Sequence, residues 1–250
     1  MKLHALVNYL DKLLRVREIS DDSQNGLQVD GAADVRRIAF AVDARLAAFE
    51  QAAALGAQMV IVHHGLCWGA PLRLTGVLHQ RLRVLFENRI SLYGVHLPLD
   101  MHVKYGNNAA LAKIIGLKQP APAGEYHGIT IGMGGVLPRA TSLRQIAAQI
   151  AKATCSPITR MHDACIPPKR VLCVSGGASD MAQLAADSGY DTFVTGETSH
   201  SRQPLIEELP LNVIFGGHYA TETLGLKSLA RHINTKFRLP TEFISLPTGI

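Results

Sequence analysis

Long apolar runs, paired-cysteine motifs and dense basic stretches are all missing from this chain of 250 residues. Its longest apolar stretches reach about six residues, far short of the roughly 20 that a membrane-spanning helix needs, so no membrane anchor of that kind is expected. The four cysteines, Cys67, Cys155, Cys165 and Cys173, show no CxxC spacing, and no apolar leader follows the Met-Lys-Leu-His start. Both features point to a reducing cytoplasm. Lys and Arg number 25 against 20 Asp and Glu, for a net charge of +5, but the bases are scattered singly or in pairs such as Arg36–Arg37. Arg81, Arg83 and Arg89 alternate with apolar residues, as the outer face of an amphipathic helix does, and form no nucleic-acid stripe. A mildly positive field still favours anionic small molecules. Aromatics make up only 6% of the residues, yet 47% hydrophobic and 18% charged is enough for a full core, which excludes disorder and mini-protein classes.

What is present is an internal repeat. Arg37–Val42 aligns with Arg170–Ser175, and Leu55–Val62 aligns with Ser188–Thr195 at the same offset. Each copy reads as a buried strand, a helix with apolar spacing, a glycine near the helix end and a second buried strand: a βαβ unit. The runs Met59–Val62 and Thr192–Thr195 are short and rich in β-branched residues without alternation, which fits strands of a parallel sheet covered on both faces. A third pair, Leu92–Asp100 and Ile214–Glu222, matches at a smaller offset, because the helix predicted over Gly76–Asn88 has only an abbreviated counterpart around Gln203–Leu209. An amphipathic helix is predicted over Leu3–Leu14, a strand at Ile129–Ile131, and a helix over Leu143–Lys152 capped by Thr141 or Ser142. The fold class expected is α/β, with two similar, pseudo-symmetric lobes: residues 1–120, then residues 121–250 interlinked with the first lobe through the C-terminal segment.

His63 and His64 directly follow a buried strand, where open α/β sheets place their ligands. An isolated His-His pair would read as a capping or solvated pair, but each repeat also ends in His-x-x-x-carboxylate: His96 with Asp100, and His218 with Glu222. Imidazoles and carboxylates suit zinc, manganese or iron. These six candidates are too many for one tetrahedral ion, so a cleft between the lobes holding two divalent ions is expected, with Asp100 or Glu222 as a bridge and a bound water activated between the ions. Glu197 is the repeat counterpart of His64 and falls either in a supporting or acid/base role or at a simple helix start. Gly176-Gly177 reads as a substrate-facing loop or a tight strand-to-helix turn. His102 and His200 read as solvated loop histidines; His4, His79, His127, His162 and His232 read as structural or exposed.

The segments Asn25-Gly26-Leu27-Gln28-Val29, Val60–Gly65, Tyr93–Asp100, Gly106-Asn107-Asn108, Thr195-Gly196-Glu197 and Gly217–Glu222 together resemble the dinuclear metal-binding proteins labelled GTP cyclohydrolase I type 2 homologues, the NGG-interacting-factor-three-like family. The resemblance runs from about residue 3 to 247. It implies ring-shaped homo-hexamers and two metal ions held by His63, His64, Asp100, His218 and Glu222, with His96 and Glu197 beside them. The function expected is that of a metal-dependent hydrolase of a nucleotide or other phosphate-bearing small molecule, with His96 or Glu197 relaying a proton. The competing reading is a non-enzymatic metal-binding ring that acts as a scaffold or associates with nucleic acid.

Overall fold

The computed structural model describes residues 1–249 and divides into two compact units, one formed by Met1–Leu99 with Leu226–Leu246 and the other by Asp100–Gly225 with the residues from Pro247 on. In chain order, the first stretch holds α1 (Leu3–Leu14), β1 (Gly26–Val29), β2 (Ile38–Asp43), α2 (Leu46–Ala54), β3 (Met59–His64), α3 (Gly76–Glu87) and β4 (Ser91–Gly94). There follow α4 (Leu97–Asp100), α5 (Asn107–Ile115), β5 (Lys118–Tyr126), β6 (Ile129–Val136), α6 (Leu143–Thr154), β7 (Arg160–His162) and β8 (Arg170–Cys173). The chain closes with α7 (Ala182–Asp187), β9 (Thr192–Thr195), α8 (Gln203–Glu208), β10 (Asn212–Phe215), α9 (His218–Phe237) and β11 (Thr241–Phe243). The boundary expected at residues 120 and 121 falls inside β5.

In the first unit the sheet order is β1-β4-β3-β2-β11. Strands β2, β3 and β4 run parallel, with β11 parallel to β2 and β1 antiparallel to β4 at the far edge. The short apolar strands form because their residues are buried on both faces: Val60, Ile61 and Val62 are all inaccessible. Helix α2 packs Ala48, Phe49 and Ala52 into the same core as Val60, Val62 and Leu85. Truncating the fully buried Phe49 to Ala would cost about 3–5 kcal/mol. Helix α1 buries Leu3, Leu6, Val7, Leu10 and Leu14, the stripe its sequence spacing predicts.

The second unit orders its six strands β5-β6-β8-β9-β10-β7. Its parallel trio β8, β9 and β10 is flanked by antiparallel pairings of β6 with β8 and of β7 with β10. Helices α5 and α6 cover one core, in which Leu111, Ile115, Ile146 and Ile150 meet Val171, Val194 and Ile214. Ser142 caps α6 through a reciprocal pair with Gln145, settling which of the two sequence candidates is the cap; loss of that side chain would cost about 1 kcal/mol. No helix among the described residues is long and apolar enough to cross a membrane.

Candidate metal site

Parallel strands send all their carboxyl ends to one edge of a sheet, and both units use that edge in the same way. In the first unit β2 ends on Asp43, β3 on His63 and His64, and His96 lies two residues past β4. Ligand atoms of His63, His64 and His96 all lie within 4.8 Å of one another. The ring centroids of His63 are 4.9 Å from His64 and 5.1 Å from His96. Trp68, its indole nitrogen donating to the Gly65 carbonyl at 2.8 Å, sets its ring against His96 with centroids 5.0 Å apart.

Each of these imidazoles is held from behind. His63 Nδ1 donates to the Val95 carbonyl at 2.9 Å, His64 Nδ1 to Asp43 Oδ1 at 2.8 Å and His96 Nδ1 to Asp21 Oδ1 at 3.0 Å. A proton committed to Nδ1 leaves Nε2 as the nitrogen that carries a lone pair, the tautomer a metal ligand requires. The Asn25-Gly26-Leu27-Gln28 motif braces the same cluster. Asn25 accepts the His96 amide at 2.7 Å and donates to Asp21 Oδ2 at 2.9 Å, while Gln28 Oε1 accepts the Leu66 amide at 2.7 Å. Burial works against the charge on Asp21, but hydrogen bonds and charge from His96, with help from Asn25 and the Ser23 amide, hold its carboxyl down at about 2.

In the second unit β8 leads to Ser175 and Gly176, β9 to Glu197 and β10 to His218, the first residue of α9. His218 Nδ1 donates to Glu197 Oε1 at 2.9 Å, and its Nε2 lies 3.0 Å from Oε1 of Glu222, one helical turn on. Burial disfavours the imidazolium, yet Glu222 and Glu197 together outweigh it and push His218 up to about 9. Two carboxylates against one ring thus favour positive charge at the place between Nε2 and Glu222, which a cation would take. Two donor atoms 3.0 Å apart match the spacing of adjacent ligands at about 2.1 Å from one first-row ion, so the pair fits a divalent metal.

Asp100, 8% exposed, accepts at Oδ1 from Asn107 Nδ2 at 2.7 Å and from Ser175 Oγ at 2.9 Å. Asn108 binds the Ser175 amide and the Ile131 carbonyl, both at 2.7 Å, so the Gly106-Asn107-Asn108 motif fixes both the carboxylate and the loop beside it. The Gly176-Gly177 pair serves that loop. Gly176 has φ +69°, and a Cβ there would overlap Glu222 Oε1, so only glycine leaves room for the carboxylate.

Every histidine and carboxylate singled out in the sequence lies at these two strand edges. His63, His64 and His96 converge in the first unit; Glu197, His218 and Glu222 do so in the second. His102 instead accepts the Lys104 and Tyr105 amides in a turn, His200 is exposed, and His232 is hydrogen-bonded to the Tyr9 hydroxyl. Burial raises the Cys67 thiol pKa, which disfavours the thiolate a metal would need. Sequence reasoning missed Asp21 and Asp43. Asp43 carried a usable signal, an acid closing the strand beside the one that ends in His-His; Asp21 sits in an aperiodic loop and carried none.

The His and Glu groups can therefore hold a metal ion. A model of the family described as Duf34/NIF3 (NGG1p interacting factor 3) matches residues 1–248. A protein of Deinococcus radiodurans called GTP cyclohydrolase 1 type 2 homolog is 40% identical over 98% of this chain and 93% of its own length. One of the same name from Pyrococcus abyssi is 40% identical over the whole of both chains. The crystal structure of TTHA1606 from Thermus thermophilus superposes with a TM-score of 0.89 at 40% identity, covering both chains completely, and it shares the mixed α/β fold with two sheets. With sequence and fold in accord along its length, the chain belongs to the DUF34/NIF3 family.

Proposed function

We propose that this chain is a metal-dependent hydrolase of a nucleotide or another phosphate-bearing small molecule, and that two divalent ions, zinc, manganese or iron, are held by His63, His64, Asp100, His218 and Glu222. The carrying observation is the common design of the four strand-edge histidines: each has Nδ1 tied to a protein oxygen, which fixes the ring and reserves Nε2 for a ligand. Solvated histidines need no such bracing. The bound ions would supply Lewis-acid polarisation of the scissile group.

The protein's own groups do the rest. Asp43 and the Val95 carbonyl fix the tautomers of His64 and His63; Asn107 and Ser175 aim Asp100. His96 holds and returns a proton at Nε2, its Nδ1 anchored on Asp21, whose low pKa keeps it a carboxylate throughout. Glu197 orients His218 by accepting its Nδ1 proton, and its own carboxylate is the second group that could relay a proton. The same reading treats the two units as pseudo-symmetric copies, since each frames its site with three parallel strands in sequence order. It also takes the active form to be a cytoplasmic homo-hexameric ring, in keeping with four cysteines that form no disulfide.

The test is turnover of a nucleotide and phosphoester panel by the purified chain loaded with manganese, iron or zinc. Activity that vanishes in the His63→Ala/His64→Ala double variant, while its far-ultraviolet circular dichroism is retained, supports the proposal. Undiminished activity in that variant rejects it. Metal-dependent melting without turnover of any panel member would favour the scaffold reading instead. His96→Ala that keeps its metal and loses turnover marks His96 as the proton carrier; loss of metal would make it a third imidazole ligand.

A further inference from the structure

We propose that the second unit carries another small-molecule site, at the opposite end of β8 from Ser175 and Gly176, that takes an organic anion with an apolar body. A cavity of about 760 Å³ opens there between the β6–α6 connection and the β7–β8 connection. That volume lies within the range of sites that enclose small ligands. Much of its lining is apolar, with Leu137, Leu143, Ile166 and Pro167.

The walls are fixed from inside the fold. Asn212, fully buried at the start of β10, accepts the Ala164 amide at 3.0 Å and donates to the Ile166 carbonyl at 2.8 Å. The Asp191 carboxylate accepts the amides of Lys169 and Arg170, each at 2.9 Å, and the Leu137 amide donates to the Lys169 carbonyl at 2.9 Å. Two adjacent prolines, Pro167 and Pro168, restrict the same connection further. The cavity is thus preformed, so a ligand need not pay for ordering it.

Charge selects the ligand. Arg139 and Lys169 stand on the two facing connections, while the single acid of the lining, Asp163, already accepts the Cys165 amide at 2.9 Å. A bare inorganic anion would leave the apolar lining unused, and an uncharged apolar molecule would leave the two cations unused. An organic carboxylate, sulfonate or phosphate engages both. None of the lining residues belongs to the strand-edge cluster, so this site stands or falls independently of the metal chemistry.

Cys165 lies in the lining and is exposed, and Cys155, also exposed, lies outside it, which gives a built-in reporter and control. The probe is naphthalene-2-sulfonate, the readout the rate at which iodoacetamide modifies each cysteine in the intact chain, followed by mass spectrometry. The expected result is at least about fivefold slower modification of Cys165 at saturating probe with Cys155 unchanged, and weaker protection by inorganic sulfate or by uncharged 2-naphthylmethanol at equal concentration. In the Arg139→Gln/Lys169→Gln variant, whose changes are confined to exposed side chains, the half-protecting concentration should rise about tenfold. The proposal is overturned if Cys165 is not protected selectively, if sulfate alone protects as well as the probe, or if the double variant is protected like the parent chain.

Discussion

Each unit brings three consecutive strands, β2 to β4 in the first and β8 to β10 in the second, side by side in parallel, and different chemistry stands at their ends. The first offers imidazoles: His63, His64 and His96, each tied through Nδ1 to an oxygen behind it. The second offers charge, with a single imidazole, His218, between Glu197 and Glu222, and with Asp100 buried beside Ser175. A shared frame therefore fixes where ligands go, while the residue chosen at each strand end fixes whether the edge supplies neutral donors or negative charge. Neutral imidazoles cost less to bury than carboxylates, which explains why His63 tolerates complete burial while the buried acids come with hydrogen-bonding partners.

The largest test of this contrast removes ligands from one side at a time. His63→Ala/His64→Ala and, separately, Glu222→Gln should each weaken metal affinity by more than about 100-fold, beyond the usual effect of losing a supporting group. Counting ions per chain by elemental analysis then sharpens the comparison: ions lost together in either variant mean that the two edges serve one pair, and one ion retained means that each edge binds alone. Next come the groups behind the histidines. Asp43→Asn and Glu197→Gln should each lower affinity by about 10–100-fold in calorimetric titration, with Glu197→Gln the more damaging if the second edge works through charge.

The two edges should also part company with pH when metal is withheld by a chelator. His218 is raised from 6.5 to about 9, so its contribution to stability is fully present below 6.5 and is lost as pH rises through about 9. Asp21 is lowered from 3.8 to about 2, so its contribution is present above 3.8 and is lost as pH falls through about 2. Melting temperature followed across pH should lose its alkaline decline in Glu222→Gln and soften its acid decline in Asp21→Asn. The smallest effect expected is that of Ser175→Ala, about 1 kcal/mol in denaturant unfolding, since Asp100 keeps the bond from Asn107.

Much of this was legible in the residues because buried parallel strands write themselves as short, uninterrupted apolar runs. β3 and β9 were readable from Met59–Val62 and Thr192–Thr195, and α1 from its five-residue apolar stripe. The helix expected at Gly76–Asn88 is α3, ending one residue sooner. β5 escaped notice: Pro120, Pro122 and Gly124 spell a loop, and most of its side chains are exposed, so no apolar pattern betrays it. It is a strand because β6 offers it a partner, a tertiary cause that local sequence does not record. β7 went unread for the same reason, as three residues on the other margin of that sheet. At the site, the candidate ligands were visible and their anchors were not, since Asp21 reaches His96 across a long sequence separation that no periodicity marks.

The irregularity of β5 has a consequence beyond the fold of a single chain. The register of β5 against β6 shifts between Lys118 and Ala121, and a bulge of this kind twists an outermost strand out of the flat ladder that a further strand would need. Growth of the six-stranded layer by addition of a foreign segment is discouraged at this margin, which guards crowded, newly synthesised copies against zippering into fibrils.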